Sequence, residues 1–546
     1  MPERRALAAL ILLFALLLFV ELPGSWLIAP DEARYAEIPR EMLATGDFLT
    51  PQLNGAHYLE KPPLLYWVNA ASMALLGRNA FAARLPTRLA ALGTAATVIV
   101  GLESAALPGW GLWAALILLS APLSWVMGRY NTTDGVLTFA LTVAFFALRR
   151  FLLAREDGRP ARAALALLGA AAGMAMLAKG LIGIAFPGLV FLLWIGIAGR
   201  WRRLRELLVS PAPLTFLAVA APWFVLMERA NPGFTQFFFV HEHFARFATA
   251  EASRPGPIYY FVLVFIAGFL PWTFVFGRAL RPLGEAWRSR ARTHGDVLFF
   301  ALWFFVIVVF FSLSHSKLVP YILPAFPAAA ALAARALLTD ERPARGAMLA
   351  HAVLATVLVI GGLGAGIVLG DLARYGVTAL AIAAAGCVAV GAWMSVVVAP
   401  RWGRRALFPA AVGWGGLYLA LALAMPRVAN DLSAHDLAAA ARGVPDARVV
   451  AYRCYPQIFP WVLGHPIVVA DYVGELGSDG PRPADLYWSA GEFWRRWHAR
   501  ERMLVVVARR ARGDFAADAI PGTALASNRQ YVLLANFPPT TPEPAP

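Results

Sequence analysis

The first 425 residues alternate long apolar stretches with short, charged connecting segments. An apolar stretch of about 20 residues is long enough to cross the hydrocarbon core of a membrane as a helix. The first stretch follows Arg4 and Arg5, and no small-residue cleavage site ends it cleanly, so we predict an uncleaved signal anchor. The pattern predicts thirteen spans: 6–28, 87–107, 110–128, 135–152, 163–178, 181–198, 211–228, 257–276, 296–313, 318–338, 347–369, 376–398 and 406–425.

The pattern changes near residue 427, where short β-like runs replace the long apolar stretches. Helix-compatible segments at 432–442 and 490–501 lie among these runs, which is typical of a small α/β domain. We therefore predict a transmembrane domain over residues 1–426 and an α/β domain over 427–546 that ends in a disordered tail. The β-like runs are 448–455, 466–472, 502–508 and 530–537.

The composition indicates a membrane protein and excludes several other classes. Hydrophobic residues make up 59% of the 546 residues, charged residues make up 15%, and the mean hydropathy is +0.61. An ordinary soluble domain carries about 25% charge, so a soluble enzyme, a disordered protein and a fibre are excluded. In this apolar background the net charge of +15 is a topology signal, and it does not indicate a nucleic-acid partner.

The distribution of arginine predicts the topology. Five connecting segments hold 5, 4, 5, 3 and 3 arginines, and with Arg4 and Arg5 they share one side of the membrane only if the apolar segment 62–77 does not cross. The positive-inside rule makes that side cytoplasmic. We predict an inner-membrane protein with a cytoplasmic N-terminus, an interfacial or re-entrant helix at 62–77 and a periplasmic C-terminal domain. The arginine-rich segments are 149–162, 200–205, 278–292, 335–345 and 401–405.

Two acidic residues are expected at the outer ends of predicted spans. Asp31 opens the segment DEARYA in the outer loop 29–86, and Asp134 follows the third span. One interpretation is structural: a solvated amphipathic helix in which Arg34 and Arg40 pair the acids, and a helix N-cap at Asp134. The other is a pair of active-site carboxylates, because acids near hydrocarbon are costly to place. Such a pair could converge to orient or deprotonate an acceptor, or to hold a cationic group.

Basic and aromatic residues on the same predicted face suggest phosphate binding. Lys61 stands in the segment YLEKPPLLYW with Tyr58 and Glu60, and lysine is a compact charge suited to phosphate. A snorkelling lysine beside its counter-ion is the alternative. Further candidates are Arg246 in the second outer loop, 229–256, and Lys317 with Tyr321 in the segment SHSKLVPYILP, where the two cations could clamp a lipid phosphate.

The sequence predicts no required cofactor. Glu60 together with His241 could hold a divalent cation, although the spacing of these residues along the chain is not diagnostic. The third lysine of the chain, Lys179, is expected in a short outer loop, and the sequence assigns it no role.

The segments DEARYA, YLEKPPLLYW, HEHFARF and HSKLVPYILP together resemble the bacterial aminoarabinose transferases that modify lipid A. Those enzymes belong to a wider family of polyprenyl-phosphate-sugar transferases related to protein O-mannosyltransferases. The resemblance covers essentially the whole chain. It implies an α-helical polytopic membrane protein with the glycosyltransferase C fold and a small C-terminal α/β periplasmic domain. It also implies transfer, with inversion, of 4-amino-4-deoxy-L-arabinose from undecaprenyl phosphate to a lipid A phosphate.

The resemblance further implies roles for individual residues. Asp31 and Asp134 match the family's two acids, and Lys61, Arg246 and Tyr321 match its carrier-phosphate contacts. Two alternatives stay open: a same-fold transferase for another lipid-linked sugar or a protein acceptor, and a flippase or transporter of lipid-linked sugars. The remaining residues of the predicted site are Tyr58 and Arg34 as neighbours of the carrier phosphate, and Glu60 and His241 as metal or polar ligands.

Overall fold

The computed structural model describes residues 2–103, 107–156, 161–240, 255–339, 345–476, 482–516 and 522–538. The chain divides into two compact units. We call Met1–Glu21 with Arg84–Ala424 the helical unit, and Leu22–Ala83 with Met425–Pro546 the mixed unit. The sequence did not indicate that residues 22–83 group with the C-terminal part, and the boundary between 1–426 and 427–546 stays a prediction. The predicted disordered tail lies outside the described residues from 539 onward.

Helices dominate the described residues. Short 3₁₀ helices occupy Val319–Ala325, Gly403–Leu407, Gly474–Leu476 and Arg509–Ala511. The α-helices are α1 (Pro2–Phe19), α2 (Asp31–Thr45), α3 (Leu64–Leu76), α4 (Ala80–Leu102), α5 (Trp110–Ser120), α6 (Pro122–Arg129), α7 (Thr133–Glu156), α8 (Arg162–Lys179), α9 (Ile182–Ala198), α10 (Arg202–Leu208), α11 (Pro211–Ala230), α12 (Phe234–Gln236), α13 (Tyr260–Gly268), α14 (Thr273–Ala279), α15 (Leu283–Arg288), α16 (Gly295–Leu313), α17 (Phe326–Thr339), α18 (Arg345–Val368), α19 (Asp371–Arg374), α20 (Thr378–Trp402), α21 (Phe408–Ser433), α22 (His435–Arg442), α23 (Ile458–Leu463), α24 (Ala490–His498) and α25 (Gly513–Ala516).

Each of the thirteen predicted spans overlaps a helix, but the count of thirteen is not confirmed. By length and composition, the described residues contain eight helical segments able to cross a membrane, or up to ten if two bent pairs are each one span. The helices α5 and α6 meet at 69°, and a second pair is bent by 111° at residues 269–272. The eight segments are Ala80–Leu102, Thr133–Leu152, Arg162–Lys179, Pro211–Ala230, Gly295–Leu313, Val319–Thr339, Gly346–Val368 and Thr378–Ser433.

Three further apolar helices are too short or too charged to be counted. The helix α1 carries Glu3, Arg4 and Arg5 within its 18 residues, and α9 has 17 residues. The helix α3 has 13 residues, which corresponds to about 20 Å at the α-helical rise, whereas the hydrocarbon core is about 30 Å thick. The segment 62–77 is therefore too short to cross as a straight helix.

Buried tryptophan and tyrosine side chains donate hydrogen bonds inside the helical unit. The indole of Trp272 donates to Ser120 Oγ at 2.9 Å, and the Tyr418 hydroxyl donates to the Ser120 carbonyl at 2.7 Å. Trp110 donates to the Ala331 carbonyl at 2.8 Å. These bonds join segments far apart in sequence and satisfy donors that would be costly to bury alone.

The C-terminal part of the mixed unit contains one six-stranded sheet in the order β5-β4-β3-β6-β8-β7. The first four strands of that order are parallel, and β8 pairs antiparallel with both β6 and β7. A separate antiparallel hairpin pairs β1 with β2. The strands are β1 (Gln52–Leu53), β2 (Ala56–His57), β3 (Arg448–Tyr452), β4 (Val468–Ala470), β5 (Tyr487–Trp488), β6 (Met503–Ala508), β7 (Thr523–Ser527) and β8 (Tyr531–Ala535).

The four predicted β-like runs are confirmed as β3, β4, β6 and β8. The central strand β6 is buried along nearly its whole length, as expected of a near-continuous apolar run inside a parallel sheet. The two unpredicted strands of this sheet are its edges, and the hairpin strands β1 and β2 were not predicted either. The strand β5 has two residues, and β7 is a largely exposed sequence of small residues, so neither gives a hydrophobic signal.

Candidate functional site

Two acids at the start of α2, in the mixed unit, occupy different environments. Asp31 is the first residue of α2, and its side chain is 39% exposed. Glu32 is fully buried, and its carboxylate accepts a hydrogen bond from the Ile28 amide at 2.9 Å. Arg34 Nη1 lies 3.4 Å from Asp31 Oδ1, a long contact for a charge-assisted hydrogen bond. Asp31 is therefore accessible to a ligand, whereas Glu32 stabilises the helix start.

Lys61 lies in the mixed unit directly after the β1–β2 hairpin and before α3. Its ammonium donates to the Glu60 carbonyl at 3.0 Å and lies 3.9 Å from Glu60 Oε2. The side chains of Lys61 and Glu60 are 21% and 27% exposed. The lysine is thus held near its counter-ion while part of its surface faces outward, which suits a contact with an anionic ligand.

Tyr58 connects the Asp31 region with the Lys61 region. Its hydroxyl is buried and donates to Glu60 Oε2 at 3.3 Å. Burial raises the pKa of Tyr58 well above its usual value, the charge of Glu60 adds to that rise, and Arg34 opposes it. Tyr58 is therefore a neutral donor within electrostatic reach of both Arg34 and Glu60. The mixed unit brings together five predicted site residues, which we call the first-loop cluster: Asp31, Arg34, Tyr58, Glu60 and Lys61.

In the helical unit Asp134 pairs with Lys179, a residue for which no role was predicted. Asp134 lies in the first turn of α7, Lys179 ends α8, and the Lys179 ammonium forms an ion pair with Asp134 Oδ1. The two side chains are 8% and 14% exposed. Lys179 Nζ also lies 4.7 Å from the centroid of the Tyr321 ring, within cation–π range. We call Asp134, Lys179 and Tyr321 the helical cluster.

The helical unit holds Lys317 mainly on backbone carbonyls. Lys317 Nζ donates to the Ser314 carbonyl at 2.6 Å and to the Ser312 carbonyl at 2.9 Å, so it satisfies acceptors at the C-terminal end of α16. The side chain is buried, and that burial lowers the pKa of Lys317. Two of its three N–H groups are thus engaged. The predicted phosphate contact through Lys317 stays a prediction.

Two predicted residues, His241 and Arg246, lie outside the described residues. The divalent cation expected at Glu60 and His241 therefore stays a hypothesis. Within the described ranges, no group of three or more His, Cys, Asp or Glu side chains is arranged to hold a metal ion. Glu60 itself is already beside the Lys61 ammonium. The predicted convergence of Asp31 and Asp134 stays a prediction as well, because they belong to different units.

Comparison with known proteins identifies relatives of the chain. The family model of dolichyl-phosphate-mannose-protein mannosyltransferases matches residues 6–238. An undecaprenyl phosphate-alpha-4-amino-4-deoxy-L-arabinose arabinosyl transferase of Edwardsiella ictaluri is 34% identical over 399 residues, which cover 70% of each protein. The protein of the same name from Aeromonas salmonicida is 37% identical over 340 residues, covering 60% of this chain and 59% of that protein.

A solved structure matches over nearly the full length. The crystal structure of ArnT from Cupriavidus metallidurans bound to undecaprenyl phosphate superposes with a TM-score of 0.80 at 28% identity, covering 98% of each chain. Its apo form gives a TM-score of 0.78 with the same identity and coverage. The apolar helices and these relatives define a multi-pass inner-membrane glycosyltransferase with the glycosyltransferase C fold. The chain belongs to the family of undecaprenyl phosphate-alpha-4-amino-4-deoxy-L-arabinose arabinosyl transferases.

Proposed function

We propose that the chain transfers 4-amino-4-deoxy-L-arabinose from undecaprenyl phosphate to a phosphate of lipid A at the periplasmic face of the inner membrane. The family membership gives the reaction class. The observation that carries the proposal is the first-loop cluster, where an accessible carboxylate, a neutral tyrosine and a partly exposed lysine share one unit. Those are the groups that an amino sugar and its phosphate leaving group require.

The proposed orientation places the N-terminus in the cytoplasm and the C-terminal domain in the periplasm. It rests on the arginine-rich segments 149–162, 200–205, 278–292, 335–345 and 401–405, which hold 20 arginines in total. Such segments stay on the cytoplasmic side because translocating them is unfavourable. Both substrates are lipids with polar heads, so a reaction at the outer interface needs no passage of the sugar through the protein.

The transfer is a single displacement with inversion. An oxygen of the lipid A phosphate attacks the anomeric carbon, the new carbon–oxygen bond forms, and the bond to undecaprenyl phosphate breaks. The electron pair leaves on the undecaprenyl phosphate oxygen, where nearby cations and hydrogen-bond donors stabilise the developing charge. We assign Lys61 and Tyr58 to this task in the mixed unit, and Tyr321 in the helical unit. Arg246, Lys317 and Arg34 are further candidates for contacts with the carrier phosphate.

The two acids need not act as strong bases, because a phosphate acceptor is already ionised near neutral pH. We propose that Asp31 orients the reactants through the ammonium group of the sugar. Its 39% exposure and its long contact with Arg34 leave the carboxylate available for that purpose. Asp134 is engaged by Lys179, so we propose that it holds the lysine in place.

The test is a transfer assay on the purified full chain. Incubation with lipid A and the undecaprenyl-phosphate-linked sugar should add the mass of a pentosamine to lipid A. The Asp31→Asn variant should transfer roughly a hundred- to a thousandfold more slowly while binding undecaprenyl phosphate as the unaltered chain does. Asp436→Asn, at a 65% exposed aspartate of the mixed unit, is the matched control. If Asp31→Asn keeps near-full transfer with intact donor binding, the role assigned to the carboxylate is wrong.

The same assay separates the closest alternative. The mannosyltransferase family model matches residues 6–238, which favours, as a second candidate, a same-fold enzyme with another sugar or a protein acceptor. A hexose mass on lipid A, or sugar on a protein in place of lipid A, would establish that candidate. A flippase would move the donor lipid without consuming the acceptor, and the chain's relatives are named as transferases.

A further inference from the structure

The turn of the β1–β2 hairpin is Asn54-Gly55, and its first residue is buried inside the mixed unit. Asn54 has φ of 55° and Gly55 has φ of 74°, as both central residues of a tight type I′ hairpin turn require. Asn54 has no exposed surface. A turn at a hairpin tip normally faces solvent, where water satisfies its polar groups. This one instead needs partners from the protein.

The polar groups of Asn54 all have partners within the mixed unit. The side chain forms a reciprocal pair with the backbone of Ile467: Nδ2 donates to its carbonyl and Oδ1 accepts from its amide, both at 2.9 Å. The Asn54 carbonyl accepts from the Tyr487 hydroxyl at 3.1 Å. The Asn54 amide donates to Glu41 Oε1 at 2.6 Å, and the Gly55 amide donates to Glu41 Oε2 at 2.9 Å.

These partners come from the two parts of the mixed unit that are far apart in sequence. Glu41 belongs to α2, the helix that starts at Asp31. Ile467 immediately precedes β4 and Tyr487 begins β5, so both lie at one edge of the C-terminal sheet. Asn54 therefore joins α2 and the hairpin to the C-terminal sheet by direct hydrogen bonds.

The hairpin leads straight into the first-loop cluster. Its second strand ends at His57, and the Tyr58 amide donates across the hairpin to the Pro51 carbonyl at 2.8 Å. Tyr58 then contacts Glu60, and Glu60 contacts Lys61. A shift of the hairpin relative to α2 would therefore move Tyr58 and Lys61 relative to Asp31.

We propose that Asn54 is a positioning residue for glycosyl transfer, and that the C-terminal sheet serves the reaction by fixing the first-loop cluster through it. The inference rests on the proposed function, since glycosyl transfer is its readout. Asparagine suits the position for two reasons. It tolerates a positive φ at low cost, and its amide supplies both the donor and the acceptor that the Ile467 backbone needs.

The informative variant is Asn54→Gly. Glycine accepts the positive φ and keeps the backbone bonds to Glu41 and Tyr487. The substitution therefore removes only the two side-chain hydrogen bonds to the Ile467 backbone. Asn528→Gly is the matched control. Asn528 is also buried, and its side chain accepts the Gln530 and Tyr531 amides at the β7–β8 turn, on the opposite edge of the sheet.

Transfer kinetics should separate positioning from a purely structural role. We expect Asn54→Gly to lower kcat/KM roughly ten- to a hundredfold through small displacements at the reacting groups, and Asn528→Gly to leave it within about twofold of the unaltered chain. A double-mutant cycle gives the second readout. If Asn54 acts through the first-loop cluster, Lys61→Met should lower kcat/KM by a clearly smaller factor in the Asn54→Gly background than in the unaltered chain.

Two results would overturn the inference. One is an unaltered kcat/KM in Asn54→Gly. The other is that Lys61→Met lowers kcat/KM by the same factor in that background as in the unaltered chain. Tyr487→Phe, which removes one bond to the Asn54 carbonyl, should show a smaller loss in the same direction and serves if Asn54→Gly does not fold. Unaltered kcat/KM in a folded Tyr487→Phe would then reject the inference. Failure of the proposed function itself is distinct, since the unaltered chain would then add no pentosamine to lipid A.

Discussion

The first-loop cluster and the helical cluster hold their charged side chains in different environments. In the helical unit, Asp134 and Lys179 neutralise each other in a nearly buried ion pair at the ends of two packed helices. In the mixed unit, Asp31 stays 39% exposed, with Arg34 at the long distance of 3.4 Å. The buried carboxylate of Asp134 therefore serves the structure, whereas the exposed carboxylate of Asp31 is accessible to a ligand.

The structural elements that hold the two clusters in place differ as well. The helical cluster needs only the packing of helices such as α7 against α8, because both charges are fixed at helix ends. The first-loop cluster lies on a helix start and on the segment after a hairpin, and it depends on buried polar contacts such as those of Asn54 and Glu41. Substitutions in the helical cluster should therefore mainly lower stability, whereas substitutions in the first-loop cluster should mainly lower activity.

Substitution of Lys179 should lower stability more than any other change considered below. Lys179→Met leaves the Asp134 carboxylate in a nearly buried place without its cation, which should destabilise the chain by about 3 kcal/mol. The double variant D134N/K179M removes both charges and should recover a large part of that loss. Thermal unfolding in detergent, followed by tryptophan fluorescence, measures both effects. Asp31→Asn is the contrasting control and should leave stability nearly unchanged, since its side chain is exposed and weakly paired.

Asp134 and Lys179 would not stabilise each other if Lys179→Met were as stable as the unaltered chain. The same conclusion would follow if D134N/K179M were no more stable than Lys179→Met, because the two charges would then not depend on each other. A loss of transfer in Lys179→Met without a loss of stability would instead place Lys179 among the residues that contact substrate.

The second expected effect is on carrier binding and compares Lys61 with Lys317. Lys61 is 21% exposed and beside one carboxylate, whereas Lys317 is buried with two N–H groups on carbonyls. Lys61→Met should weaken binding of undecaprenyl phosphate roughly tenfold, about 1.4 kcal/mol. Lys317→Met should change that affinity less and should lower stability by about 1 kcal/mol, because it frees two acceptors. Binding titrations with undecaprenyl phosphate measure the affinity of both variants. A larger loss of affinity in Lys317→Met than in Lys61→Met would contradict this prediction.

The amino-acid sequence predicted most of the fold because its signals are local. Apolar stretches indicated the helices, and the buried strands β3, β4, β6 and β8 stood out as short β-like runs. The count of thirteen spans did not follow in the same way, because α5 with α6 and the segment around residue 270 are bent within one apolar stretch. A proline stands at each bend, Pro122 and Pro271, and proline interrupts helical hydrogen bonding, but the angle of each bend depends on the surrounding helices.

The candidate site was predictable in its residue types but not in its pairings. The motifs pointed to Asp31, Lys61 and Asp134, whereas the partner of Asp134 is Lys179, 45 residues further along the chain. Such a pair exists only because α7 and α8 pack against each other. No prediction singled out Asn54, and its contacts with Ile467 and Tyr487 come from more than 400 residues away. Grouping residues 22–83 with the C-terminal sheet requires those contacts.

A weaker change is predicted for Glu37 in α2, where the stability of the chain should depend on pH. The carboxylate is fully buried and accepts two hydrogen bonds from Arg40, at 2.7 and 2.8 Å, while Glu41 lies beside the same guanidinium at 3.8 Å. Burial raises the pKa of Glu37 to about 8 from its ordinary 4.5, the bonds from Arg40 offset part of that rise, and the charge of Glu41 adds to it. Two acids that share one buried cation thus tend to retain a proton.

The sign of the stability change follows from where that proton is held. Between about pH 4.5 and about pH 8 the folded chain keeps a proton on Glu37 that the unfolded chain releases, so this group's stabilising contribution falls as pH rises. Glu37→Gln should flatten the fall in unfolding temperature across that window, leaving a residual slope because the pKa of Glu41 is also raised, chiefly by burial. Glu501→Gln, at a 44% exposed glutamate, should keep the slope of the unaltered chain. Identical slopes in Glu37→Gln and the unaltered chain would show that Glu37 is ionised throughout, held by Arg40 as a permanent ion pair like that of Asp134 and Lys179.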